Sequence, residues 1–103
     1  MPITIFIEYH VKREQVIQYE NMMSTIFLKA KDFGATLIDW YVDDVDKAKF
    51  YEVYEVPTHS HYYAFRRIRQ MSNHPLFGEL CGYIKGTSHY CLVKNRYQLQ
   101  SVL

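Results

Sequence analysis

The sequence lacks the charge imbalance of a nucleic-acid-binding protein. Twelve Lys and Arg residues against eleven Asp and Glu residues give a net charge of +1 at pH 7. Capture of nucleic acid needs a clustered basic surface. The only basic cluster, Arg66-Arg67-Ile68-Arg69, is predicted to fan around the solvated face of a helix. We therefore expect no nucleic-acid partner.

The sequence also lacks a long hydrophobic run. The apolar stretch near Met1 has no basic leader region, is interrupted by Glu8 and His10, and is too short for a signal peptide or a membrane span. The two cysteines, Cys81 and Cys91, show no CxxC spacing, which favours reduced thiols over a disulfide. We therefore expect a cytoplasmic protein with no membrane partner.

Motifs of the common catalytic and cofactor-binding sites are missing as well. There is no P-loop, no GxGxxG and no Ser-His-Asp ordering, so nucleotide binding and triad hydrolysis have no support. The five histidines form no zinc-like pattern with Cys or Asp, and we expect no metal. The length of 103 residues, without repeats, predicts one domain over residues 1–95 and a tail over residues 96–103.

Aromatic residues, in contrast, are abundant. They make up 17% of the chain, and ten of them are tyrosines. A tyrosine combines a large apolar ring with one hydroxyl that needs a partner when it is buried. This composition predicts either an interface or a lined pocket, and both interpretations remain open.

The stretch from Lys49 to Pro57 organises the rest of the chain. It is aromatic and β-branched, and a proline ends it. Side chains of a strand alternate between two faces, so the even-numbered and odd-numbered residues separate into two sets. The sets are Phe50, Glu52, Tyr54 and Val56 on one face, and Tyr51, Val53 and Glu55 on the other. Because each set contains apolar residues and a glutamate, the pattern predicts a strand buried on both faces.

Hydrophobic periodicity predicts the other elements. Strands are expected at residues 2–11, 35–43, 49–56 and 87–94. Helices are expected at residues 13–33, from Thr58 or Ser60 to a break at Asn73-His74-Pro75, and at 76–84 with Gly86 after it. This order is the β-α-β-β-α-β, or ferredoxin-like, plan of an α+β protein, with a four-stranded antiparallel sheet and its helices on one face.

The other face of the predicted sheet carries an apolar patch. It would consist of Phe6, Ile38, Trp40, Phe50, Tyr54 and Val56. Soluble monomers rarely expose such a patch. We therefore expect a homodimer in which two sheets face each other and close into an α/β barrel.

Two segments of the chain resemble a known family. The segments Phe-Tyr-Glu-Val-Tyr-Glu-Val (residues 50–56) and His-Pro-Leu-Phe-Gly-Glu-Leu (residues 74–80) are similar to the dimeric α/β-barrel superfamily, in particular to small antibiotic-biosynthesis-monooxygenase-like and NIPSNAP-like proteins. The resemblance covers roughly residues 3–94. It implies a pocket between sheet and helices or in the barrel lumen. The superfamily that the chain resembles includes cofactor-free monooxygenases of aromatic polyketides, haem-degrading and haem-binding enzymes, muconolactone-isomerase-like enzymes, and many members with no known activity.

Glu52 is the leading catalytic candidate. A carboxylate among Trp40, Tyr54 and Phe50 would be desolvated, which would raise its pKa and suit it to act as a general base. The alternative is a glutamate satisfied by a tyrosine hydroxyl or by a basic group at the dimer contact. Trp40 and Tyr54, with Phe50, Phe6 and Ile38, would form the wall of a site for a small planar substrate. The alternative is that they are core residues.

His74 is the second catalytic candidate, as a secondary proton donor. The resemblance also makes His74 or His61 a candidate axial ligand of haem, and the alternative is a capping or surface histidine. Strand one has no asparagine, and Tyr54 stands where a tryptophan often occurs in haem-degrading relatives, which argues against that activity.

Three functions therefore remain. They are a cofactor-independent monooxygenase-like enzyme, a non-catalytic dimeric binding or stress-type module for a small hydrophobic ligand, and a haem-binding protein.

Overall fold

The computed structural model describes residues 2–93. The tail predicted for residues 96–103 and the last residue predicted for strand four lie outside this range. Within residues 2–93, no helix is both long enough and apolar enough to cross a membrane.

Four strands form one antiparallel sheet: β1 (Ile3–Val11), β2 (Thr36–Val42), β3 (Lys49–Val56) and β4 (Ile84–Val93). The α-helices among the described residues are α1 (Val16–Ala30), α2 (His59–Arg69) and α3 (Phe77–Tyr83). Two 3-10 turns, Arg13–Gln15 and Lys31–Phe33, extend α1 at its ends, which confirms the helical segment expected at residues 13–33. The strand order β2-β3-β1-β4 confirms the ferredoxin-like fold.

The helix ends follow from local sequence. Gly34 stops the first helical segment with a φ of +76°, a left-handed conformation that favours glycine. Thr58 caps α2, as expected, because its hydroxyl accepts a hydrogen bond from the backbone N–H of His61 at 3.3 Å. The cap fixes the start of α2 immediately after Pro57 ends β3.

The start of β4 differs from the expectation. The strand begins at Ile84, directly after α3, whereas the sequence predicted a start at residue 87 and a helix stop at Gly86. Gly86 instead lies inside β4 with a φ of +73°, at a β-bulge. Only one residue separates Glu8 from His10 on β1, but three residues separate their partners, His89 and Lys85. A glycine in a bulge supplies the unusual backbone that the bulge needs.

The core lies between the sheet and the helices. It contains the odd-numbered side chains of β1, the apolar even-numbered side chains of β3, and the inner faces of the helices. The helical contribution is Tyr19, Met22, Met23, Ile26, Ala30, Tyr62, Phe65, Phe77 and Leu80.

The prediction that the six apolar residues share the sheet face away from the helices is therefore wrong. Phe50, Tyr54 and Val56 are buried in the core, and Trp40 packs against it. Phe6 alone of the patch pairs with residues of the other face, because it stands opposite Val53 on β3 and Cys91 on β4. The assignment failed because both faces of β3 carry apolar residues, so the strand itself does not show which face the helices cover.

The face away from the helices mixes aromatic and charged groups. Tyr41 and Tyr51 stack there with ring centroids 4.9 Å apart, and Phe6 meets the Tyr51 ring edge-on at 6.4 Å. Beside them Lys49 pairs with Glu8 at 3.4 Å. This face is thus partly apolar, although its members are not the predicted ones.

Candidate functional site

Glu52 lies at the centre of the sheet and points into the core. Its neighbours across the ladder are Ile7 on β1 and Trp40 on β2. The residue is fully buried, with 0% of its surface exposed. A charged side chain in this position must be paired and hydrogen-bonded, because burying an isolated charge is very costly.

Arg69 is the partner of this carboxylate. Its Nη1 donates to Oε1 of Glu52 at 2.8 Å, and its Nη2 donates to Oε2 at 2.6 Å. This is the two-bond geometry in which the planar guanidinium matches a carboxylate. The arginine reaches Glu52 from the last turn of α2 and is itself buried. The expectation that Arg69 lies on a solvated helix face is wrong, whereas Arg66 and Arg67 are exposed.

Two tyrosines complete the shell around the carboxylate. The Tyr9 hydroxyl donates to Oε2 of Glu52 at 2.5 Å, and the Tyr54 hydroxyl donates to Oε1. Each oxygen therefore accepts two hydrogen bonds, which is the full capacity of an ionised carboxylate. No lone pair remains for a substrate or a water molecule. This geometry corresponds to the satisfied glutamate that the sequence left open, with the basic group supplied from within the chain.

The environment lowers the pKa of Glu52. Burial by itself would raise this pKa, but the Arg69 charge and the hydrogen bonds from Arg69, Tyr54 and Tyr9 together outweigh it. The raised pKa expected for a general base is therefore not found. Burial and the nearby Glu52 charge instead raise the pKa values of the Tyr9 and Tyr54 hydroxyls, which stay neutral donors.

The hydrogen bonds continue from Tyr9 toward the edge of the sheet. The Tyr9 and Tyr19 hydroxyls lie 2.5 Å apart, and Nε1 of Trp40 donates to the Tyr19 hydroxyl at 2.9 Å. Burial is the main cause of a raised pKa for Tyr19 as well. The result is a continuous polar line through an otherwise apolar core, from Trp40 to Glu52.

The predicted substrate-binding residues divide into two groups. Trp40, Phe50 and Tyr54 lie around Glu52 on the helix-covered side of the sheet, as expected for residues that share a face with it. Phe6 lies on the opposite side. Ile38 falls at a register shift in β2, where Leu37 stands opposite Tyr54 and Ile38 has no partner in the ladder.

His74 caps the start of α3. Its Nδ1 accepts the backbone N–H groups of Leu76 at 3.1 Å and of Phe77 at 3.2 Å. This is the capping role that the sequence left open as an alternative. His61 is engaged at the other helix, where its Nδ1 lies 2.7 Å from the Thr58 hydroxyl. Across residues 2–93, no three His, Cys, Asp or Glu side chains are placed to hold a metal ion.

Sequence reasoning missed Arg69, Tyr9 and Tyr19 as members of the site. Signals for each were present. Tyr62, Phe65 and Arg69 follow the spacing of one helical stripe, so the arginine lies on the buried side of α2. The two tyrosines lie on the apolar faces of β1 and α1, and a buried hydroxyl there needs a partner.

A cavity of about 270 Å³ adjoins Arg69. Its walls come from the last turn of α2, from Cys81 on α3 and from the first half of β4. The β4 residues include Ser88 and Tyr90, and the Arg66 guanidinium lies 5.0 Å from the centre of the Tyr90 ring. The cavity is slightly below the roughly 300–1,000 Å³ of typical ligand pockets.

Comparison with known proteins supports the fold. A NIPSNAP family protein from Agrobacterium tumefaciens matches with a TM-score of 0.70 at 14% identity, over 90% of this chain and 91% of its own. A conserved protein from Methanosarcina mazei matches with a TM-score of 0.70 at 15% identity, over 93% and 94%. A structure described as an antibiotic biosynthesis monooxygenase matches with a TM-score of 0.66 at 13% identity, over 90% and 97%.

The sequence itself matches no protein-family model and no curated protein. The chain therefore shares the ferredoxin-like fold of NIPSNAP and antibiotic-biosynthesis-monooxygenase proteins, as the resemblance of the sequence predicted. At these identities the likeness concerns the fold and leaves activity open.

Proposed function

We propose that this protein binds a small planar molecule in the cavity beside Arg69, and that the role of Glu52 is to hold Arg69 in place. The observation that carries the proposal is the saturated carboxylate. Glu52 accepts four hydrogen bonds and has no exposed surface, so it cannot reach a ligand. The cavity, in contrast, is lined by Arg69, the Tyr90 ring and the Ser88 hydroxyl.

The lining of the cavity defines the chemical class of the ligand. Tyr90 offers an aromatic surface, and the Thr87 and Ser88 hydroxyls offer hydrogen bonds. The positive charge of Arg69 is already matched by Glu52, so a strongly anionic ligand gains little there. These features suit one aromatic ring that carries a hydroxyl or a single carboxyl group.

A paired substitution on β4 tests the cavity. Ser88→Met places a long side chain on the helix side of the strand, where it fills the cavity. His89→Met makes the same kind of change one residue later, on the side that faces Glu8. Calorimetric titration with phenol, catechol and benzoate should show binding to the parent protein and to His89→Met, with loss in Ser88→Met. Absence of binding by all three probes, or equal binding by both variants, would contradict the proposal.

The protein also acts as a homodimer in this proposal. Two sheets would pack through the face that holds Phe6, Tyr41 and Tyr51, of which Tyr41 is 40% exposed in the single chain. Light scattering should give the mass of two 12.4 kDa chains. Tyr51→Lys should shift the protein toward monomer. Tyr63→Lys, at an exposed position of α2, should leave the mass unchanged. A monomeric parent protein would refute the dimer.

A monooxygenase-like activity is the second candidate, because the chain shares its fold with a structure described as an antibiotic biosynthesis monooxygenase, and Trp40, Phe50 and Tyr54 lie on the same side of the sheet as Glu52. In that case Glu52 would have to give up at least one of its four hydrogen bonds to assist substrate deprotonation, with His74 as a secondary proton donor. Oxygen uptake with a dihydroxyaromatic substrate tests this. Turnover that is lost in Glu52→Gln and in His74→Ala would support it, and unchanged turnover would remove both residues from the reaction.

A further inference from the structure

The hydrogen bonds between Trp40 and Glu52 all point in one direction. The indole Nε1–H of Trp40 can only donate, and an ionised carboxylate can only accept. Since Trp40 donates to Tyr19 and Tyr9 donates to Glu52, the remaining proton between the two tyrosines must be donated by Tyr19 to Tyr9. Every proton of the line therefore points toward Glu52.

The same residues form a line of closely spaced aromatic rings. The ring centroids of Trp40 and Tyr19 are 6.1 Å apart, and those of Tyr19 and Tyr9 are 5.9 Å apart. Trp40 lies on β2, an edge strand, and is only partly buried. Tyr9 lies in the middle of the sheet with 0% of its surface exposed. The line thus connects the protein surface with the buried ion pair.

We propose that Trp40, Tyr19 and Tyr9 form a redox relay in which Glu52 is the proton acceptor. An oxidant that takes one electron from Trp40 at the surface would produce a radical that moves inward to Tyr9. A site of this kind needs oxidisable side chains in contact and a base hydrogen-bonded to the phenol that is finally oxidised. Both are present. The proposal does not depend on ligand binding in the cavity beside Arg69.

The balanced step involves one electron and one proton. An outer-sphere one-electron oxidant takes an electron from Trp40 and leaves the indole radical cation. Tyr9 then reduces the Trp40 radical cation by transferring one electron through Tyr19. As this electron leaves, the O–H bond of Tyr9 breaks and its proton passes to Oε2 of Glu52. The products are the reduced oxidant, a neutral Tyr9 radical and protonated Glu52 beside Arg69. A one-electron reductant such as ascorbate reverses the step, and the proton returns from Glu52 to Tyr9.

Flash photolysis of the whole protein with a ruthenium polypyridyl photo-oxidant tests the relay. The chain has one tryptophan, so a transient indole radical can only be Trp40. Transient absorption should show this radical converting into a tyrosyl radical, and electron paramagnetic resonance of a frozen sample should identify the product. Tyr9→Phe should lengthen the life of the Trp40 radical severalfold and remove most of the tyrosyl signal. Tyr19→Phe should slow the conversion.

Tyr62→Phe is the matched control. Tyr62 is also buried, but its hydroxyl accepts a hydrogen bond from Arg66 and its ring contacts Tyr63, outside the line from Trp40 to Glu52. This variant should keep the conversion at the rate of the parent protein. Circular dichroism establishes that each variant is folded before the flash. A tyrosyl signal of equal size in Tyr9→Phe, or an equal loss in Tyr62→Phe, would overturn the relay.

Discussion

The guanidinium of Arg69 and the carboxylate of Glu52 form a two-bond ion pair inside the protein, with N–O distances of 2.8 and 2.6 Å. The pair joins the last turn of α2 to the middle strand pair of the sheet. A buried pair of this kind need not stabilise a fold more than apolar residues would, but removing one member leaves the other charge without a partner.

Single substitutions in this pair should therefore be more harmful than a double one. Arg69→Met or Glu52→Gln alone should each lower the free energy of unfolding by about 3–5 kcal/mol. The double variant should be more stable than the sum of the two losses predicts, because neither charge is then left alone. Urea denaturation measures all three. Additive losses would show that the two side chains do not act as a pair.

The surface pair of Lys29 with Asp32 supplies the comparison. Its side chains are 43% and 60% exposed, so solvent screens their attraction. Asp32→Asn should change the urea midpoint little. A loss of unfolding free energy as large as that of Glu52→Gln would mean that burial does not determine the cost of removing one member of an ion pair.

Alanine substitutions at two glycines of nearly the same backbone conformation can distinguish the cost of backbone strain from the cost of steric crowding. Gly34 and Gly86 have φ values of +76° and +73°. A Cβ on Gly34 would lie 2.6 Å from Cδ2 of His61, whereas a Cβ on Gly86 would meet nothing within 4 Å. Gly86→Ala should cost about 1–2 kcal/mol for its left-handed backbone. Gly34→Ala should cost more, because the His61 ring must also move away from Thr58.

Gly82→Ala is the control for this comparison. Gly82 lies in α3 at negative φ with no atom within 4 Å of the added Cβ. Alanine should stabilise the helix there by about 0.5–1 kcal/mol. Thermal denaturation of the three variants gives the order. An equal loss in Gly34→Ala and Gly86→Ala would show that the contact with His61 carries no cost.

The buried tyrosines should ionise last in alkaline solution. The fold raises the pKa values of Tyr9, Tyr19 and Tyr54 above the ordinary value of 10.0. A raised pKa in the folded state gives stability that is complete below the unfolded pKa and is lost as the pH rises through the folded one. The free energy of unfolding should thus decline above about pH 10.

Ultraviolet absorbance follows this ionisation directly. The exposed members of the ten tyrosines should titrate first, and the three around Glu52 only at higher pH or on unfolding. Circular dichroism at each pH shows whether the chain is still folded. Ionisation of all ten in one step while the fold persists would be incompatible with the hydrogen-bonded cluster.

His74 should matter for stability through the start of α3. His74→Ala removes the acceptor of two backbone N–H groups and should cost about 0.5–2 kcal/mol, in the range of a lost helix cap. His74→Asn should restore part of the loss, since its side-chain oxygen can accept the same groups. Haem titration should give no Soret band that depends on His74. A band that His74→Ala abolishes would instead support haem binding.

The helices and strands could be predicted from the sequence, but the face of the sheet that the helices cover could not. Apolar spacing located β1, α1 and β2, and the cap at Thr58 located the start of α2. Alternation along β3 separated its side chains into two correct sets. Which set meets the helices depends on pairing with β1, whose odd-numbered residues are all apolar, and on the register shift near Ile38.

The pKa of Glu52 could not be predicted because two of its partners, Arg69 and Tyr9, come from distant parts of the chain. Sequence alone places Glu52 among aromatic residues, where burial would raise the pKa. Arg69 and Tyr9, which lie 17 and 43 residues away, reverse the direction. Arg69 has a long side chain and lies near the end of a short helix. In the sequence, only the spacing of Tyr62, Phe65 and Arg69 along α2 indicates that this side chain points into the core.

The protonation state of Glu52 tests the central claim most directly. Carbon-13 NMR of glutamate-labelled protein, with Glu52→Gln to assign the signal, follows this carboxylate through an acid titration. Because the folded pKa is lowered, Glu52 should remain ionised below the ordinary value of 4.5, and its contribution to stability, complete above that value, should be lost progressively as the pH falls from it through the lower folded pKa. Protonation of Glu52 at or above 4.5 in the folded protein would contradict the account and restore it as a candidate base.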